Sequence, residues 1–289
     1  MQTQDQQDLT GNELNAQRFR MLEDIAKELQ GEVVFPISFD IALRIRKLVD
    51  DPEQSIEKIS AMINLDPLIS AKLINQANSV AYNPGGQEVR NLRGAITRLG
   101  LKAVRSTVMA IAMRQLLRSK DMVDFAEIAN RLWNHTLQCA SAAYVLARRM
   151  TRLNPDEAML AGLLHDLGAF YMLYRATQYP ELRVRPDTVR HLVIRWHDGI
   201  GVSLLGSLGV AEEIIDAVCD HDQPRLVPPA PRNLSDVIYA ANLMAGDALE
   251  LQRDEGDGND FADYMPGASY LALQDEIEAH AKSMRAVFD

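Results

Sequence analysis

MLAGLLHDLGAFYMLY, Met159 to Tyr174, is the stretch on which the fold turns. Every residue in it is apolar, aromatic or glycine except His165 and Asp166. Asn154-Pro155-Asp156-Glu157 stands just before it and reads as a helix start. Asn154 takes the N-cap, Pro155 the first helical position, and Glu157 is placed to reach back as in a capping box. A helix that is apolar all round is buried on all sides, so His165 and Asp166 belong to the interior. A buried carboxylate left unpaired is costly, so Asp166 needs a partner elsewhere in the chain.

The rest of the sequence limits what that partner can be. A chain of 289 residues with 47% apolar content can build one large domain or two modest ones around a sizeable core. The polar start MQTQDQQDLT is no signal peptide, and no run of about 18 apolar residues predicts a membrane span. The two cysteines, Cys139 and Cys219, read as small core residues in a reducing, cytoplasmic setting. A net charge of −10 argues against non-specific nucleic-acid binding by the whole surface. The charge is uneven: Val89 to Lys120 holds eight basic residues and no acidic one. That run reads either as a solvated helical face or as a docking surface for an acidic partner.

Residues 1–11 are Gln-rich and expected to be disordered. From Asn12 onward the signals are helical. Ile41, Ile45, Leu48 and Val49 share a face, as do Ile56, Ile59 and Ile63. Asp66-Pro67 opens another helix, and Gly100 stops the one carrying Ile96 and Leu99. Residues 12–120 therefore read as an N-terminal helical subdomain. A second subdomain, 121–250, begins with a helix reaching about Met150, in which Ile128, Leu132, His135, Cys139, Ala142 and Leu146 form one stripe. His135 thus faces inward. Pro180 and Pro186 bracket a connector, and further helices are expected near 186–208, 211–221, 233–250 and 268–286. The last part, 251–289, combines an acidic loop, RDEGDGNDFAD at 253–263, with a C-terminal helix. The loop lacks EF-hand spacing.

Several of these pieces resemble one family. Asp66-Pro67, the run LINQANS from Leu73 to Ser79, and AITRLG from Ala95 to Gly100 are similar to the first half of an HDOD domain. LWNHT around His135 and LLHDLG around His165 resemble the HD superfamily. The resemblance spans about residues 20–250 and implies an all-α fold of two packed helical subdomains. It implies a signalling or regulatory module that contacts a protein partner, since HDOD proteins are generally regarded as non-catalytic.

The resemblance also implies a metal centre. HD enzymes place a His, a His-Asp dyad and a later Asp around a divalent ion, which makes hydroxide available to attack a phosphoester. The first His matches His135 and the dyad matches His165 and Asp166. The later Asp falls on Asn242, a neutral oxygen where an anion is expected. His197 in RWHDGIG and His221 in VCDHDQP, with Asp222 beside it, resemble the extra ligands of the HD-GYP subfamily. The lysine that follows the dyad there is Ala169 here, and the Gly-Tyr-Pro loop is missing, which argues against cyclic di-GMP hydrolysis. A divalent metal, Fe, Mn or Zn, held by His135, His165, Asp166, His197 and His221 is one reading. A buried His–Asp–His hydrogen-bond cluster without metal is the other. His191 and His280 match nothing and are expected at the surface, and Trp133 and Trp196 in core packing. A metal-dependent phosphohydrolase is the alternative function. No membrane contact and no strong duplex DNA binding are expected, and the oligomeric state stays open.

Overall fold

The computed structural model describes residues 12–31, 37–246 and 265–288, and all regular structure among them is helical. The expected disorder of 1–11 and the acidic loop at 253–263 lie outside the described residues. None of the described helices is long and apolar enough to cross a membrane.

The first half runs α1 (Asn12–Leu29), α2 (Ile37–Asp50), α3 (Ile56–Ile63), α4 (Pro67–Ala77) and α5 (Leu92–Leu117). Polar caps start three of these helices. Ser55 accepts from Lys58 N at α3, Asp66 from Leu68 N and Ile69 N at α4, and Asn91 from Gly94 N at α5. Gly100 breaks the path of α5 at φ 77°, a left-handed conformation that glycine adopts without a Cβ penalty. Beyond that break α5 is a core helix, not a solvated face: Ala103, Val104 and Ser106 to Met113 are all buried. Arg90, just before α5, and Arg93, Lys102 and Arg105 within it pair with Glu88, Glu57, Glu157 and Asp50.

A 3-10 turn (Lys120–Phe125) leads into α6 (Ala126–Met150), whose buried stripe includes Leu132, His135, Cys139, Ala142 and Leu146. Then follow α7 (Pro155–Leu164), α8 (Leu167–Ala176), α9 (Pro180–Arg183), α10 (Pro186–Ser207), α11 (Glu212–Val218), α12 (Leu234–Ala245), α13 (Ala268–Leu271) and α14 (Gln274–Phe288). The expected single helix across Met159–Tyr174 is thus two, α7 and α8, divided at His165 and Asp166. Asn154 caps α7 as read, accepting from Asp156 N and Glu157 N, while the Glu157 carboxylate meets Lys102.

Packing joins the two halves. Buried apolar side chains form one cluster from Met21 to Phe288. α5 packs on α2 and α4 behind it and on α7 ahead of it. Polar bonds follow the same seam: Ser106 Oγ donates to Asp156 O, the Tyr82 hydroxyl to Asp156 Oδ1, and the Arg46 guanidinium to Leu208 O. α1 lies against α8, α9 and α10, its Glu28 accepting from the Tyr171 hydroxyl and the Arg175 guanidinium. α12 and α14 close the other side of α6.

Two expectations fail here. His280 is only partly exposed: it stacks on Tyr144 with ring centroids 4.5 Å apart, and burial and Arg148 pull its pKa down to about 4. Trp196 is 45% exposed, so only Trp133 packs in the core, edge-on to Phe288. His191 is exposed, as read. Cys139 is buried and Cys219 partly so, both as free thiols.

Candidate metal centre

The break between α7 and α8 makes the site. His165 ends α7, and Asp166 leaves helical geometry at φ −100°, ψ 15° before α8 begins. A glycine stands on either side of the pair. A Cβ on Gly162 would come within 2.7 Å of Ala140 Cα, so α7 lies hard against α6. A Cβ on Gly168 would come within 2.0 Å of His197 O and 2.6 Å of Gly201 N, so α8 lies hard against α10. Only glycine permits both approaches. They bring His135 of α6 to one side of the dyad and His197 of α10 to the other.

His221 arrives by a different route. It does not sit on α11, as a helix reaching 221 would place it, because α11 ends at Val218. Cys219 is extended and Asp220 takes a left-handed φ of 57°, which turns the chain so that His221 points inward. The Asp220 amide donates to Asp198 Oδ2 and steadies the turn.

The five residues converge, all buried. Asp166 is shared between two sets. Its Oδ2 lies 3.2 Å from His165 Nε2 and 3.7 Å from His135 Nε2, which are themselves 3.1 Å apart. Its Oδ1 lies 3.3 Å from His221 Nε2 and 3.5 Å from His197 Nε2, which are 3.4 Å apart. Three of the imidazoles are oriented by backbone: His165, His197 and His221 donate from Nδ1 to Gly162 O, Val193 O and Val218 O.

These bonds fix the chemistry. A carbonyl can only accept, so each of those Nδ1 atoms carries the proton and a neutral ring presents its Nε2 lone pair inward. His197 and His221 then aim two lone pairs at one another across 3.4 Å. Positive charge must lie between them, as protons or as a cation. Without an ion, burial opposes the charged rings, yet Asp166 holds His165 well above its usual range. Burial likewise opposes charge on His197, but the Asp222 hydrogen bond and the carboxylates of Asp166 and Asp222 raise it to about 9. Burial would raise the Asp166 pKa, and the surrounding histidines, His165 first, hold it well below the carboxylate range. In His135 burial wins and lowers the pKa. Imidazole and carboxylate are the donors that zinc, iron and manganese favour, and ring orientation by backbone carbonyls is usual for metal-ligating histidines. The residues present fit a divalent ion.

Asn242 of α12 reaches the same place. Its Nδ2 donates to Asp222 Oδ1 at 2.9 Å and to His221 O at 3.3 Å. Ala169 is buried beside the dyad and offers no charge. Sequence reasoning gave little weight to Asp222 and none to Asp198, which lies 3.7 Å from His221 Nδ1. A signal existed: the His-Asp doublet occurs at 165–166, 197–198 and 221–222.

The sequence profile of the HDOD domain matches residues 35–224. The chain belongs to the HDOD family. Among solved structures, this HDOD chain is similar to a protein of Shewanella amazonensis SB2B provisionally named a metal-dependent phosphohydrolase. The two are 27% identical with a TM-score of 0.71, over 95% of this chain and 100% of the other. An HDOD domain protein of unknown function from Geobacter sulfurreducens shares the fold at 20% identity and a TM-score of 0.59, over 95% and 99% of the two chains. A protein of Marinobacter aquaeolei VT8, provisionally named in signal transduction, does so at 20% identity and 0.57, over 97% of this HDOD chain and 67% of that one. A curated relative, an uncharacterised protein of Treponema pallidum (strain Nichols), is 22% identical over 80% of this chain. The chain spans only 45% of that relative's length.

Proposed function

We propose that this HDOD protein is a regulatory module whose buried His/Asp centre holds divalent metal without turning over substrate. The observation that carries the metal is the pair of inward lone pairs on His197 and His221, 3.4 Å apart with both Nδ1 atoms committed to backbone carbonyls. A divalent ion there supplies Lewis acidity. The protein's own residues hold and orient: Asp166 presents one oxygen to each histidine pair, and the Gly162 and Gly168 contacts fix the spacing. Against turnover stand Asn242 and Ala169, which put a neutral amide and a methyl group where HD enzymes carry an anion and HD-GYP proteins a lysine. The module's output is then contact with a protein partner, in keeping with the family.

A second reading, metal-dependent hydrolysis of a phosphoester, draws on both complete histidine sets and on the name of the Shewanella relative. One experiment separates the two. Protein purified without a histidine tag is assayed for metal by mass spectrometry and screened against phosphomonoesters, phosphodiesters and nucleotides. Bound metal without turnover supports the regulatory module. Hydrolysis that is lost on chelation and in Asp166→Asn establishes the enzyme instead. Protein that takes up no divalent ion at all defeats the metal in both.

A further inference from the structure

We infer that Asp222 is a further ligand of the centre, supplying its second anion, and that Asn242 positions it. The inference rests on the metal-holding reading above. Ligands about 2.1 Å from an ion at tetrahedral angles lie about 3.4 Å from one another. Around the second histidine pair the separations match: 3.4 Å between His197 and His221, and 3.5 and 3.3 Å from these to Asp166 Oδ1. Asp222 flanks the same pair, with Oδ2 3.2 Å from His197 Nε2 and Oδ1 3.7 Å from His221 Nε2.

Charge points the same way. Asp166 is divided between two histidine sets and gives each only one oxygen. Among the described residues, the carboxylate besides Asp166 that faces the Nε2 atoms of His197 and His221 is that of Asp222. The carboxylate expected on α12 is replaced by Asn242, whose amide N–H can only donate. It donates to Asp222 Oδ1, a bond that an aspartate at 242 could not make. The anion has moved from α12 to the turn after α11, and residue 242 has become its anchor. Asp222 is partly exposed, with a side-chain accessibility of 31%, so it also forms the edge of the centre nearest solvent.

The test uses the full chain, stripped by chelator and titrated with Mn2+ while free ion is followed by electron paramagnetic resonance. Wild type should show two classes of site. Asp222→Asn, which keeps the shape of the side chain, and Asp222→Ala should each weaken one class at least tenfold and spare the other. His135→Ala should weaken the other class. Asn242→Ala should weaken the Asp222-dependent class alone, a selectivity that general loss of packing would not produce. Circular dichroism confirms that each variant is folded. If folded Asp222→Asn and Asp222→Ala bind Mn2+ as wild type does, the inference is wrong while the metal reading stands. Failure of wild type to bind Mn2+, Zn2+ or Fe2+ sinks that reading and this one with it.

Discussion

Asp166 is a single carboxylate surrounded by four imidazoles, and its removal should show what binds them together. Asp166→Asn keeps the volume and removes the charge both histidine sets depend on. Metal content should fall below about a tenth of wild type, and urea unfolding should show a loss of about 3–5 kcal/mol, the usual consequence of breaking a buried charge pair. Equal metal content in the two proteins would defeat the ligand assignment.

Proton binding gives a second prediction at this scale. In the metal-free protein the His197 pKa lies at about 9, above its unfolded value of about 6.5. The stability this contributes is fully present below about 6.5 and is lost as pH rises through about 9. Asp166 and Asp222 are lowered, so their share is present above about 4 and lost as pH falls. The melting temperature of chelated protein should therefore peak near about pH 6.5 and decline toward pH 9, while the lowered pKa values of His135 and His280 make it fall on the acid side as well. Metal-loaded protein should lack the alkaline decline, because ions take the unprotonated rings. A flat profile for chelated protein between pH 6.5 and 9 would contradict the charged cluster.

What the sequence revealed at this scale depended on context. His165 and Asp166 stood out because everything near them is apolar, and His135 because it falls on a helical stripe. Asp222 stood out less: it repeats the His-Asp doublet of 165–166, but its significance comes from His197 and Asn242, distant in sequence.

Among the helices, the decisive event is the interruption of an apolar run. LLHDLG carries no local stop signal strong enough to predict it, because its leucines favour continuous helix. The interruption is imposed from outside, by α6 pressing on Gly162 and α10 on Gly168. Likewise the left-handed Asp220, not helix periodicity, turns His221 inward. The Asp66 and Asn154 starts and the Gly100 stop were legible because capping is local chemistry. The two glycines should fail differently when altered. Gly168→Ala drives a methyl group into backbone of α10 and should cost about 1–3 kcal/mol or more, with His197 displaced from Asp166. Gly162→Ala presses on α6 and should displace His135 instead. Histidine NMR signals in the two variants check this: each should shift one pair and leave the other near its wild-type position.

For the whole molecule, the seam between α5 and α7 governs independence of parts. Residues 12–120 cut away would expose the buried face of α5 and strand Met21 and Ile25, whose helix packs on α8 to α10. Short helices bury too little alone. The fragment should give a poorly dispersed NMR spectrum and no cooperative melt, and a sharp melt would show that the first half folds by itself.

The clasp of α1 on α8 has a bearing on boundaries. The HDOD match covers 35–224, yet Glu28, which neutralises the buried Arg175, precedes it. Asn242 and the apolar face of α14, with Ile277, Met284 and Phe288, follow it. The length that matches the HDOD domain and the length that melts as a unit are therefore different parts of the same chain. A protein trimmed to the matched residues 35–224 would keep all five histidine and aspartate residues of the centre. It would also leave Arg175 a buried cation without its carboxylate, at a cost of about 3–5 kcal/mol, and bare two apolar faces. Such a trimmed chain should aggregate on expression while the full chain stays monodisperse in gel filtration. The matched domain holds the chemistry, and the helices outside it supply the closure that lets that chemistry stay buried.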